Sequence, residues 1–385
     1  RMRGQLVAGG PDGRWLAVAS PGAAYLRIGP TETVHEQTIL ACPGGVYALA
    51  LAPGGATLAV GCGDGLVRLY DVRDLDKTPE PVVLDKAAGP ASCLSYSADG
   101  KYLLGGDNTG VASVWEVESR RIVNRLHHAG PVMGAAFSPV PGDYRALTGG
   151  GPDDGSLHLW TDAVKGEDQT AIEFRAKIDK TTYVGQVAFS PDGKQAASAH
   201  SDGAVRLWDL GRFHKDEENP ICKGHVPGGA PVFAYSPDGR YLTTGRYSDG
   251  GVWLWDAQKG GQVRRLATVN AVNDVRFLGA GDRVAFTSSV SNDWNVHIYE
   301  VETGKELGPP VGHLNAVTCV SFAPDGRNVA SGGTDLMMRL WGLDSLSQRY
   351  AAGGGAVWGV GFIPDAKTAY YYGAAWATLP LMDVE

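Results

Sequence analysis

The sequence lacks most of the features by which a function announces itself. No apolar run approaches the roughly 20 residues that span a bilayer as a helix, and the opening RMRGQLVAGG holds no signal-peptide core. Lys and Arg number 34 against 42 Asp and Glu, for a formal net charge of -8. The basic residues are scattered singly, so no stripe of them is set out to neutralise phosphates, and nucleic acid is not the expected partner. No Walker A motif occurs: Gly100-Lys101 and Gly193-Lys194 are followed by Tyr and Gln, without the hydroxyl that would meet magnesium. Arg246-Tyr247-Ser248-Asp249-Gly250 lacks the first glycine of a nucleophile elbow and sits in a strand-to-strand turn. The five cysteines (Cys42, Cys62, Cys93, Cys222 and Cys319) are odd in number and form no CxxC. Read as reduced packing thiols, they favour a cytoplasmic setting.

What the chain has instead is glycine and recurrence. Its 54 glycines in 385 residues are about twice the usual share, and they lie in turns between short strands. One pattern recurs nine times: an alternating apolar strand, a turn of the Ser-Pro-Asp-Gly kind, a strand of small residues, an Asp-Gly turn, and a strand closing on an aromatic residue. The closing residues are Tyr70, Trp115, Trp160, Trp208, Trp255, Tyr299 and Trp341, at intervals of 42 to 48 residues, with weaker copies closing at Ile28 and Met382. That is roughly one unit per 43 residues, the period of a four-stranded propeller blade. Repetition also explains how a chain of this length avoids division into separately cored domains, since each unit buries its faces against its neighbours.

These residues resemble the WD40 family, and the resemblance covers essentially the whole chain. Trp208-Asp209 and Trp255-Asp256 carry the Trp-Asp signature, softened to Tyr70-Asp71, and Gly224-His225 and Gly312-His313 carry the Gly-His. The resemblance implies a buried network of His, Ser or Thr, Asp and Trp in each blade. By position the networks are His313, Ser331, Asp335 and Trp341; His128, Thr148, Asp154 and Trp160; and His225, Thr244, Asp249 and Trp255. A fourth keeps Ser198, Asp202 and Trp208 but has Lys180 in the histidine slot, so it is expected to be incomplete.

The expected fold is therefore all-β, a WD40-like propeller of nine four-stranded antiparallel blades in one closed ring and one domain. The units are bounded near 1–37, 38–80, 81–120, 121–168, 169–215, 216–261, 262–304, 305–345 and 346–385. Seven or eight units closing, with the rest beginning a second propeller, is the competing arrangement. Nine inner triplets are served by eight outer strands, and the missing one is expected from residues upstream in a longer chain or from a partner. The resemblance further implies attachment to a larger signalling protein.

Chemistry is sparse in this reading. The recurring turn aspartates Asp64, Asp154, Asp202 and Asp249 each stand alone, short of the several oxygens calcium takes. His127 and His128 are adjacent on a strand and face opposite ways. No metal, no cofactor and no catalytic residue is expected, and the role is that of a protein or peptide interaction platform. A small-molecule or catalytic site in the axial channel is the alternative. Partner contacts are assigned to an aromatic sector of Trp294, Trp358, Trp376 and Tyr47, large residues where the repeat does not require them. A second cluster joins Arg246 and Tyr247 to His200 and Tyr183. The competing reading of the aromatics is that they cap an irregular closure.

Overall fold

Short strands that end on Asp-Gly turns pair with their chain neighbours, and in the computed structural model that local rule repeats along the whole chain. The structure describes residues 6–9, 15–19, 25–30, 38–72, 80–152, 154–166, 171–174, 182–211, 221–222, 231–246, 251–267, 272–278, 281–288, 296–307, 313, 315, 317–323, 327–342, 347–353, 357–362, 369–373 and 377–379. Among these there is no helix, hence none long and apolar enough to cross a membrane.

The described strands form nine antiparallel sheets, seven of four strands and two of three. From inner to last strand, sheet 1 runs from Leu6–Gly9 to Thr38–Ala41 and sheet 2 from Val46–Leu51 to Val82–Val83. Sheet 3 runs from Ala91–Tyr96 to Ile122–His127, sheet 4 from Val132–Phe137 to Ile172–Phe174, and sheet 5 from Val184–Phe189 to Ile221–Cys222. Sheet 6 runs from Val232–Tyr235 to Gln262–Ala267, sheet 7 from Val272–Leu278 to Val296–Glu300, sheet 8 from Val317–Phe322 to Ser347–Gly353, and sheet 9 from Val357–Phe362 to Ala377–Leu379. Each sequence unit from 38–80 onward thus starts near the outer strand of the sheet before it, an offset of one strand between sequence unit and sheet.

The outer strands depart from expectation in one place. Among the described residues sheet 9 has three strands, and so does sheet 7. There the outer strand is reduced, among the described residues, to a single bridge between Tyr299 and Glu306. Its backbone bonds, Glu300 N–H to the Lys305 carbonyl and Leu307 N–H to the Ile298 carbonyl, mark where it begins.

The chain divides into two compact units, Arg1–Gly10, Ala17–Ile28 and Gln37–Ile221 in the first and Pro11–Leu16, Gly29–Glu36 and Cys222–Glu385 in the second. In the first, the inner strands of sheets 1 to 5 lie against one another in chain order. In the second, those of sheets 6 to 9 do the same. Burial follows the same logic, because each core cluster is shared by two successive sheets. Ala59, Val67 and Leu69 of sheet 2 pack with Leu103 and Trp115 of sheet 3. Val252 and Leu254 of sheet 6 pack with Val284 and Phe286 of sheet 7. Second strands pressed from both sides are wholly buried, as in Thr57–Cys62 beyond its first residue and throughout Asn328–Gly333.

Candidate interaction face

One irregularity recurs at the start of the inner strands. In sheet 2 the register passes from Val46 opposite Cys62 to Ala48 opposite Gly61, so Tyr47 is an extra residue outside the ladder. The same one-residue bulge frees Ser92, Met133, Gly185, Asn273, Thr318 and Trp358. A bulge re-aims a side chain while the flanking pairs stay buried, so seven sheets present a variable residue at an equivalent point. Tyr47 and Trp358, expected from the sequence to share a slot, do so. Tyr47 is 38% exposed, and its ring lies over the following turn: a Cβ at Gly63 would stand 2.9 Å from Tyr47 Cε2. Met133 sits over Gly151 in the same way, 3.4 Å from an imagined Cβ. Ser92 turns inward, its hydroxyl donating to the Val132 carbonyl at 2.8 Å.

The turn between second and third strands flanks each bulge. Its glycine has positive φ in sheets 2 to 5, at Gly65, Gly110, Gly155 and Gly203. Sheet 8 puts Leu336 there, at φ 69 and 50% exposed. A leucine in the left-handed region carries a cost of about 1–2 kcal/mol relative to its ordinary conformation, and it is spent here on displaying an apolar side chain. The sequence carries a signal for it, the Thr-Asp-Leu of residues 334–336 in place of Asp-Gly, which is not aromatic and so falls outside the expected sector.

Beneath this edge lie the networks. In sheet 4, His128 donates from Nδ1 to Asp154 Oδ2 (2.6 Å), its Nε2 accepts from the Thr148 hydroxyl (2.6 Å), and Trp160 Nε1 donates to Thr148 (2.8 Å). Burial opposes ionisation of Asp154, but hydrogen bonds from His128 and Ser156 outweigh it and hold the carboxyl at about 2. Sheet 8 repeats the arrangement with His313 to Asp335 at 2.8 Å, His313 to Ser331 at 2.7 Å and Trp341 to Ser331 at 2.9 Å. Burial pushes the His313 imidazole below its ordinary range against the pull of Asp335, and both Asp335 and Arg339 Nη1 stand at 2.8 Å from its Nδ1. In sheet 6 Trp255 donates to Thr244 at 2.9 Å; His225 and Asp249 lie outside the described residues.

The other sheets solve the same problem differently. In sheet 5 the expected gap at Lys180, itself outside the described residues, is covered from within. His200, two residues past Ser198 on the same face, bonds it at 2.8 Å while Trp208 donates to that serine. Burial and the Arg206 charge push His200 down to about 3. In sheet 3 the slot is Gly105, and Trp115 donates to the Asp85 carbonyl at 2.8 Å. In sheet 7 Phe286 fills it, stacked on His297 at 4.8 Å. In sheet 2 the Cys42 and Cys62 thiols each donate to a backbone carbonyl, that of Leu40 and of Val60, and their interaction raises the Cys42 thiol and lowers that of Cys62. A recurring ion pair spans the turn in sheets 2, 5 and 8: Arg68–Asp64, Arg206–Asp202 and Arg339–Asp335, each at 2.6 Å.

One group of donors merits a metal test. His128, Asp154 and His158 offer atoms within 4.8 Å of one another. However, the two imidazoles stack at 4.0 Å and 15°, so their in-plane lone pairs run side by side and do not converge on one point. Both nitrogens of His128 are already engaged, and the geometry serves the network. His127, the neighbour considered with it, is exposed on the outer strand.

Of the remaining sequence-assigned contacts, Trp294, Trp376 and Tyr247 lie outside the described residues, and of Trp358 only the strand is described. His200 and Tyr183 belong to the first unit and Arg246, 4% exposed, to the second.

Comparison with known proteins gives matches of one kind. The family model for the WD domain, G-beta repeat, matches residues 34–71, 173–209, 218–256 and 304–342. Striatin-4 of Homo sapiens is 26% identical over 231 residues, covering 57% of this chain and 29% of that protein. The WD repeat-containing protein WDS homolog of Arabidopsis thaliana is 25% identical over 325 residues, covering 81% of this chain and 58% of that protein. The serine-threonine kinase receptor-associated protein of Dictyostelium discoideum is 26% identical over 305 residues, covering 68% of this chain and 98% of that protein. The chain thus spans less than two thirds of the length of the first two.

Proposed function

This chain belongs to the WD40-repeat family, and we propose that it is a non-catalytic platform that binds a peptide or partner domain along the strand-start edge of its sheets. The observation that carries the reading is the bulge repeated in seven sheets. It varies one residue per sheet, from Gly185 to Trp358, over a ladder whose register shift recurs. Variation displayed on a rigid repeat is how a surface acquires specificity without disturbing the fold. Tyr47 and Leu336 are anchors of the kind enriched at binding hot spots or exposed apolar patches, with Trp294, Trp358 and Trp376 as further candidates.

The Dictyostelium relative is named for association with a serine-threonine kinase receptor, which agrees with a regulatory assembly as the setting. The free thiols Cys42, Cys62 and Cys93 fit a reducing compartment such as the cytoplasm. The proposal includes closure of nine units in one ring, with a partner strand pairing with Ala377–Leu379.

Tyr47→Ala and Leu336→Gly test the reading, with Trp294→Ala and Trp358→Ala alongside. Leu336→Gly relieves the strained backbone and is expected to raise stability by about 0.5–1 kcal/mol. Both Tyr47→Ala and Leu336→Gly are expected to weaken capture of the physiological partner at least several-fold in a quantitative pull-down. Full capture by both variants would remove the edge from the binding role.

A further inference from the structure

Arginine has a recurring place in sheets 2, 5 and 8. There it stands two residues before the closing aromatic and pairs with the turn aspartate, so Arg206 and Arg339, 6% and 8% exposed, each have a carboxylate at 2.6 Å. Sheets 3, 4 and 7 have Ser113, His158 and His297 at that place, and sheet 6 departs in a different way. Trp253 holds that place, and the arginine appears as Arg246, directly after the second strand Tyr241–Gly245 and two residues past the network threonine, Thr244. In sheets 8 and 9 of the same unit the equivalent position is Gly333 and Gly373.

Arg246 is 4% exposed, and its Nη1 is buried without a hydrogen-bond partner. No carboxylate among the described residues pairs with it. Its backbone is fixed: the Arg246 carbonyl accepts from Val272 N–H at 2.9 Å, and a Cβ on Gly245 would stand 2.5 Å from Val272 Cγ1. A guanidinium does not shed its proton to escape burial. Among the described residues no counter-charge stands beside it, and a buried cation in that position is destabilising unless an anion meets it. The residue lies at the strand end that leads into the second-to-third-strand turn, the edge assigned above to partner binding.

We infer that Arg246 is an oxyanion subsite of the second unit and that it takes a carboxylate from an acidic segment of the partner. The inference rests on the platform reading and adds the chemistry of the ligand. A planar guanidinium matches a carboxylate in two parallel hydrogen bonds, which gives direction as well as charge.

The test is thermal melting of the full chain in sodium acetate, sodium phosphate and sodium chloride at equal ionic strength, for wild type, Arg246→Met and Arg246→Gln. Wild type should gain about 2 °C in saturating acetate over chloride, and both variants should gain nothing. In chloride Arg246→Met should melt at or above wild type, because it removes an unpaired buried charge. No acetate-specific gain in wild type, an equal gain in the variants, or Arg246→Met melting well below wild type in chloride would each overturn the subsite. A gain in phosphate without one in acetate would overturn the carboxylate assignment in favour of a phosphorylated segment. A chain that loses its partner on Tyr47→Ala yet shows no anion effect keeps the platform and loses only the subsite.

Discussion

At the scale of single residues, burial decides which histidines can carry charge. His200 stands at about 3 in the folded chain, through burial and the Arg206 charge, and His313 is displaced in the same direction. An unfolded histidine takes its proton near pH 6.5. Between that value and about 3 the unfolded chain therefore binds more protons than the folded one, and stability falls as pH drops through the window. Each histidine contributes a loss of up to about 1.4 kcal/mol per pH unit. Urea denaturation at pH 7.5, 6 and 5 should show the slope, and His200→Gln should flatten it while lowering stability at pH 7.5. A slope unchanged by the substitution would assign the pH dependence elsewhere. Residues of this kind are hard to read from a chain. Ser331, Asp335 and Trp341 announce themselves by spacing, whereas His200 is one more polar residue at a strand end until the sheet brings it to Ser198 at 2.8 Å.

At the scale of the element, one strand pattern holds several incompatible interiors. The closing aromatics were legible because their spacing repeats, and the slots of His128, Thr148 and Asp154 through the resemblance to the WD40 family. What the spacing could not convey is how a sheet behaves when the slot is empty. Consensus reasoning would put a serine at position 105 to complete the network of sheet 3. The structure argues the opposite. A Cβ at Gly105 would stand 2.8 Å from Leu94 Cδ2 and 2.9 Å from Trp115 Cζ3, and Trp115 already has the Asp85 carbonyl. Gly105→Ser should therefore destabilise the chain by about 1–3 kcal/mol, the usual range for overpacking a dense core. Chemical denaturation would measure it; a stabilised variant would mean that Trp115 can swing back to the consensus partner. Outer strands were the least legible element, since they pack on one side only and their sequences obey no strict pattern. Sheet 7 shows the extreme, with the side chain of Glu306 bonded to His297 at 2.7 Å and to Tyr299 at 3.0 Å where a full strand stands elsewhere.

For the whole molecule, the core clusters among the described residues each join two successive sheets within one unit, and in a repeat of this kind stability is a sum over neighbouring interfaces. Such a chain can add sheets without enlarging any core, and the number that closes a ring is set by the angle between neighbours. Propellers usually close at ~4 to 8 blades, and nine sheets in one ring would exceed that range. The proposal of a single nine-sheet ring thus makes a demand on shape. Small-angle X-ray scattering of the full chain should fit one flat disc, and calorimetry should show one transition, since opening any interface of a closed ring exposes two apolar faces at once. A ring of seven or eight sheets with one or two appended would scatter as a disc with a protrusion. It would also release the appended sheets in an earlier transition, because a sheet packed on one side has half the interface to hold it. Two resolved transitions together with the protruding profile would replace the nine-sheet ring by that arrangement.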